Sequence, residues 1–217
     1  MCNVYSIRKG PAAILDLARA MRNDVGNLEG GSVYPDYAAP IVRTDANGDR
    51  ILASARWGMP SPAFALEGKK TDKGVTNIRN GQSPHWRRWL KPENRCLVPL
   101  TSFSEPSRDA DGKYAPIWFE LAGDEPEPLA FFAGIWTPQW TSVRKLKEGE
   151  VTADLFGFLT SEPNAEVAAV HPKAMPVILT EPDEFEMWLT APWDIAAELQ
   201  RPLPDGSLRR IASVEAT

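Results

Sequence analysis

Cysteine stands at position 2, behind only the initiator methionine, in the opening stretch MCNVY. Methionine is usually trimmed when the next side chain is small, and trimming would leave an α-amine and a thiol on one residue. The α-amine titrates near about 8, far below lysine, so a useful fraction is neutral at neutral pH and can attack a carbonyl. The neighbouring thiol can then add to the resulting imine and close a thiazolidine ring, capturing an aldehyde with both nucleophiles. A second use of the pair is hydrolytic, with the amine serving as base for the thiolate, as in N-terminal nucleophile amidases. A third reading is an incidental cysteine packed against the first strand. The residue by itself does not choose among them.

Few other side chains compete for chemistry. The chain has two histidines, His85 and His171, and two cysteines, Cys2 and Cys96, with no CxxC. A zinc site would have to be assembled from scattered carboxylates, so neither a metal nor another cofactor is expected. Two cysteines do not make a disulfide framework, which fits a reducing compartment. No apolar run approaches the roughly 18 residues of a membrane span, and residues 1–10 lack the layout of a secretory signal. A cytoplasmic protein without membrane contact is the default expectation.

The 217 residues suit one domain, and 43% hydrophobic with 24% charged residues is ordinary globular usage. The formal net charge of −5 is unevenly spread. From Lys69 to Arg95 eight cations face only Asp72 and Glu93, a net +6, so the remainder carries −11. This segment also holds Trp86 and Trp89. It reads either as a phosphate-facing patch with rings available for stacking, or as a solvated helix whose tryptophans point into the core.

The elements that must position these residues are short, because 20 prolines punctuate the chain. Pro11, Ile14, Leu17, Ala18 and Met21 have helical spacing and predict a helix over 11–22. Ser83-Pro84 predicts a short helix through Trp86 to Leu90. Strand-like runs cover 51–59, 95–103, 117–121, 129–136, 154–160 and 175–179. Helices are expected over 183–189 and 193–201, with a tail from Pro202. Loops are expected near 23–35, 45–49, 107–113, 124–128 and 137–149. Strands rarely separated by helices favour an α+β fold, mainly antiparallel β-sheet curled into a barrel-like core with peripheral helices. Residues 1–201 would form the single domain and 202–217 the tail.

Five stretches in order, MC at the start, ARWGMP at 55–60, TNIRN at 76–80, RCLVPLTSFSEPS at 95–107 and HPKAMPVIL at 171–179, resemble the SOS response-associated peptidase (SRAP) family. The resemblance implies a sensor of abasic sites in single-stranded DNA that crosslinks to them covalently; a monomer is expected. Cys2 matches the family's nucleophile. Asn77 falls where an asparagine would hold the N-terminal amine, and Arg79 where a guanidinium would clamp a phosphate. Glu105 takes the place of the acid/base glutamate, and His171 would protonate the sugar ring oxygen or assist reversal. Arg79, Arg87, Arg88 and Lys173 would form the floor of the DNA channel. Pro40, in Tyr37-Ala38-Ala39-Pro40, resembles the family's proline-bearing loop and would wedge beside the lesion. Cys96 reads as a buried strand residue and His85 as a helix-surface residue.

The chain departs from the family pattern at several points. Asn3 and Val4 stand where MCGR is common, Ser102-Phe103-Ser104-Glu105-Pro106 replaces an aromatic-rich segment, and Gly81 replaces a glutamate. The stretch 171–176 is one residue longer than HxRMP, with Lys173 in place of an arginine. Two alternatives to the crosslinker remain: a cysteine peptidase or amidase using Cys2, including removal of Met1 by the protein itself, and a reader of modified bases that does not need Cys2.

Overall fold

The computed structural model describes residues 2–212. Five strands close into a barrel: Ala38–Thr44, Arg50–Trp57, Arg95–Leu100, Ala130–Val143 and Glu150–Ser161. Antiparallel pairing runs along this set, and the ring shuts where Leu155 and Phe156 pair in parallel with Arg56 and Trp57. Closure leaves the barrel strands few free edges. All six residues of Arg95–Leu100 are buried. Their inner face meets the barrel core, and their outer face is covered by the helix Pro182–Thr190, whose Trp188 Nε1 donates to the carbonyls of Cys96 and Gly134, each at 3.0 Å. The α+β architecture with a barrel core and few helices is the one expected.

A second antiparallel sheet crosses the barrel, in the order Leu208–Ile211, Ile117–Leu121, Ser102–Glu105, Val4–Ile7, Gly31–Val33. The first strand is central here. Its Tyr5 ring drops into the barrel and packs edge-on against Trp57 and Phe132, with centroids at 5.1 and 5.4 Å, while Phe132 stacks on Phe158 at 4.2 Å. Such aromatic pairs add to the burial that fixes this strand in place.

Several elements differ from the sequence expectations. The first helix is Pro11–Ala18; it stops because Arg19 adopts φ 51°, and Met21 N–H already bonds the Arg50 carbonyl, leading into the strand Arg22–Asn23. The expected helix around Trp86 reduces to a 3-10 turn, Arg87–Trp89. Ile117–Leu121 forms as expected, whereas 95–103 divides into Arg95–Leu100 and Ser102–Glu105. The loop expected over 137–149 is largely a hairpin arm: Ala130–Val143 and Glu150–Ser161 stay paired past a bulge between Thr137 and Trp140. The tail expected from Pro202 contains the edge strand Leu208–Ile211, with Leu203 and Leu208 buried; residues 213–217 of that tail, and Met1, lie outside the described residues.

Candidate functional site

The register Val4↔Ser104 brings the start of the first strand alongside Glu105, the last residue of its neighbour. Cys2 and Glu105 are both fully buried. From the barrel side, Asn77 enters on a two-residue strand paired in parallel with Phe158. Its Nδ2 donates to the Cys2 carbonyl at 2.9 Å and to Thr76 Oγ1 at 2.9 Å. Its Oδ1 is buried without a hydrogen-bond partner among the described residues.

His171 arrives from a fourth element. The helix Ala165–Ala168 is capped by Asn164, whose side chain accepts from Val167 N–H, and the chain then turns so that His171 N–H bonds the Val167 carbonyl at 2.7 Å. Its Nδ1 lies 3.0 Å from the Ala174 carbonyl and 3.5 Å from Glu105 Oε2. A carbonyl can only accept, so Nδ1 carries the proton and Nε2 is left as the basic nitrogen. The four residues assigned to chemistry thus converge from separate strands and a turn.

Burial sets the electrostatics. It raises the Glu105 carboxyl above the ordinary carboxylate range, opposed only in part by groups that include His171 and the Cys2 amide. Burial, followed by the charge of Glu105, also pushes the Cys2 thiol well above its usual value. The thiol therefore rests protonated, with Sγ 3.4 Å from the Val4 carbonyl.

The residues assigned to DNA separate more widely. Arg79 is exposed, but its Nη1 already donates to the carbonyl of Lys173 in the turn that carries His171. Gln200, which the sequence reading passed over, links Arg79 to the strand Glu150–Ser161: its Nε2 donates to the Arg79 carbonyl at 2.8 Å and to the Thr160 carbonyl at 2.9 Å. Only its place in the fold reveals it. Lys173, Arg87 and Arg88 are exposed, with the Arg88 guanidinium 4.4 Å above the Trp89 ring.

Two assignments need correction and one open reading is decided. Pro40 is not on a loop; it is buried within the strand Ala38–Thr44, in register with Ser54, and is in no position to wedge. Trp86 and Trp89 are buried and pack on each other, so the core reading of these rings holds and the stacking reading does not. His85 is half-buried, with Nε2 2.9 Å from the Pro60 carbonyl, rather than on a helix surface. Arg95, counted with the cations, is fully buried, and burial pushes its guanidinium down to about 10. Cys96 is the buried strand residue expected.

Among the described residues no cluster of histidine, cysteine and carboxylate could hold a metal ion, and no helix is long and apolar enough to cross a membrane.

The same fold occurs in solved structures. A protein from Bordetella bronchiseptica is 23% identical with a TM-score of 0.74, over 99% of this chain and 100% of that one. A protein from Bacteroides thetaiotaomicron is 19% identical with a TM-score of 0.72, over 96% and 90% of the two chains. A phage-related protein from B. bronchiseptica is 17% identical with a TM-score of 0.68, over 97% and 93%. No curated protein sequence matches. At these identities the likeness concerns the fold, and the family rests on sequence: the model of SOS response associated peptidase (SRAP) matches residues 1–215, so the chain belongs to that family of peptidase-like proteins.

Proposed function

We propose that this protein captures abasic sites in single-stranded DNA by condensing Cys2 with the ring-opened sugar. The observation that carries the reading is the convergence of Asn77, Glu105 and His171 on Cys2, with Asn77 Nδ2 2.9 Å from the Cys2 carbonyl. Removal of Met1 frees the α-amine. The buried Asn77 Oδ1 is an acceptor on the amide group that already grips Cys2. His171, having taken up a proton at Nε2, passes it to the ring oxygen; the ring carbon–oxygen bond breaks and the anomeric hydroxyl gives up its proton, leaving the open aldehyde.

The neutral amine then adds to the aldehyde carbon, and the carbonyl oxygen becomes a hydroxyl. Glu105, its pKa raised by burial, passes a proton to that hydroxyl, which leaves as water, and the N–H proton of the resulting iminium returns to the Glu105 carboxylate to give the imine. The Cys2 thiol adds its sulfur to the imine carbon while its proton goes to nitrogen, closing the thiazolidine. One water is lost overall. Arg79, Arg87, Arg88 and Lys173 supply cations for the phosphates.

A second reading, a cysteine peptidase, is favoured by the His171–Glu105 pair beside a cysteine. Peptidase nucleophiles, however, are activated by a lowered thiol pKa, and here burial and Glu105 push the thiol the other way. Amine-first attack needs no resting thiolate.

The test is intact-protein mass spectrometry after mixing with a single-stranded oligonucleotide bearing one abasic site. The expected mass is the protein without Met1 plus the oligonucleotide less one water, absent for Cys2→Ala. An unmodified protein whose N-terminus is Cys2 sinks the crosslinking reading and advances the peptidase.

A further inference from the structure

The tryptophans in the basic segment are walls of the core, with Trp89 packed against Trp140 at 5.9 Å. Large exposed rings lie elsewhere. Tyr34 is 41%, Tyr37 60% and Tyr114 59% exposed. Their backbone positions surround the strand that begins at Cys2. Tyr5 pairs with Val33 on one side, so Tyr34 follows at the level of Val4. Tyr37 is its neighbour, with ring centroids 5.9 Å apart and planes tilted by 56°.

On the other side Val4 pairs with Ser104, and the hairpin beyond it closes with Glu105↔Ile117. Tyr114 stands on the loop of that hairpin, bridged to Arg108. Partial burial raises its phenol, and Cys2, Glu105 and Tyr34 lie near enough to add to that shift. The rings therefore flank the buried nucleophile, two on one bank and one on the other.

We propose that Tyr34, Tyr37 and Tyr114 form a rim on which the bases next to the reacting sugar stack, an inference that rests on the abasic-site reading. Single-stranded nucleic acid fits this rim because every base has a flat face and stacking tolerates any sequence. The Tyr114 loop also exposes Arg108 and Lys113. Of its acids, Asp109 is taken up by the amides of Asp111 and Lys113, at 2.9 Å each. Three exposed rings around one buried nucleophile are otherwise a cost in hydration to a soluble surface.

The test measures fluorescence anisotropy of a labelled, undamaged oligothymidylate with the Cys2→Ala protein, so that no covalent step enters. Tyr34→Ala, Tyr37→Ala and Tyr114→Ala should each weaken binding by roughly tenfold. The salt dependence should stay as steep as in the parent, since no phosphate contact is removed, and each Tyr→Phe variant should bind like the parent. Unchanged affinity in the alanine variants, or equal loss in the phenylalanine variants, overturns the rim. So does a parent that binds no single strand. Failure of the abasic-site reading is seen separately, as absence of a covalent adduct when Cys2 is intact, and leaves the ring dependence of strand binding to be read on its own.

Discussion

Asn77 Nδ2 donates to the Cys2 carbonyl at 2.9 Å, across 75 residues of sequence. This bond ties Cys2 to the short strand Asn77–Ile78, which pairs with the barrel strand Glu150–Ser161, and it fixes the orientation of the residue whose amine attacks in the proposed reaction. Asn77→Ala removes it from a buried setting. The expected cost is about 1–2 kcal/mol of stability, with crosslinking slowed by roughly tenfold because the amine is less well held. Thermal unfolding and single-turnover adduct formation measure the two effects.

Glu105 should work against stability while it serves the proposed chemistry. Burial raises its pKa in the folded protein, so the folded state holds the proton more tightly than the unfolded chain. Its favourable contribution is present below the unfolded carboxylate value, about 4.3, and is lost as pH rises through the higher folded value. Glu105→Gln should therefore melt higher than wild type near neutral pH, with the difference shrinking toward acid pH. Adduct formation should fall by about 10²-fold or more. A variant that melts lower at neutral pH would contradict the burial argument.

Asp72 has the opposite sign. Burial opposes its charge, but the Ser61 hydroxyl and amide, the Gly74 amide and the nearby Arg144 outweigh it and hold the carboxyl below the usual range. Arg144 in turn donates to the carbonyls of Asp72 and Gly58, joining the two loops that lead toward Asn77. This stability is present above the unfolded carboxylate pKa and is lost as pH falls through the lower folded value. Asp72→Ala leaves Arg144 buried without its carboxylate and should cost about 3 kcal/mol at neutral pH, less in acid. Chemical denaturation at several pH values reads this directly.

Arg79 offers a separation of two roles. A residue that only clamps phosphate affects affinity alone. Its bond to the Lys173 carbonyl also braces the turn that carries His171, and Gln200 braces Arg79 in turn. Arg79→Ala should therefore slow adduct formation by roughly tenfold even at saturating DNA, where a pure clamp would show no loss. Single-turnover rates across DNA concentration distinguish the two.

Much of this was legible because the strands carry their own signal. Ile117–Leu121 carries an isoleucine and two aromatics between Pro116 and Gly123, and the run ending at Glu105 is closed by Pro106. The hairpin arm past Thr137 was hidden because Pro138 and Gly149 look like loop residues. Its pairing survives through the bulge, where Gln139 takes φ 44° and its N–H bonds Asp154 Oδ1 at 2.9 Å. Leu208–Ile211 depends on a partner far back in the chain, Ile117–Leu121, which no local pattern reveals. Cys2 stands out by its position and chemistry, whereas Asn77, Glu105 and His171 come from the resemblance. Gln200 and the exposed tyrosines were not, because their importance comes from contacts and register rather than residue type.

The most direct test of the central claim is to locate and characterise the adduct on the protein. After nuclease and protease digestion, fragment-ion mass spectrometry should place the sugar remnant on Cys2 at the new N-terminus. The thiol should resist alkylation, and borohydride should add no hydrogen, as a closed thiazolidine requires. A remnant on a lysine, or a Cys2 thiol that alkylates freely while an imine is reduced, would contradict capture by both nucleophiles of Cys2.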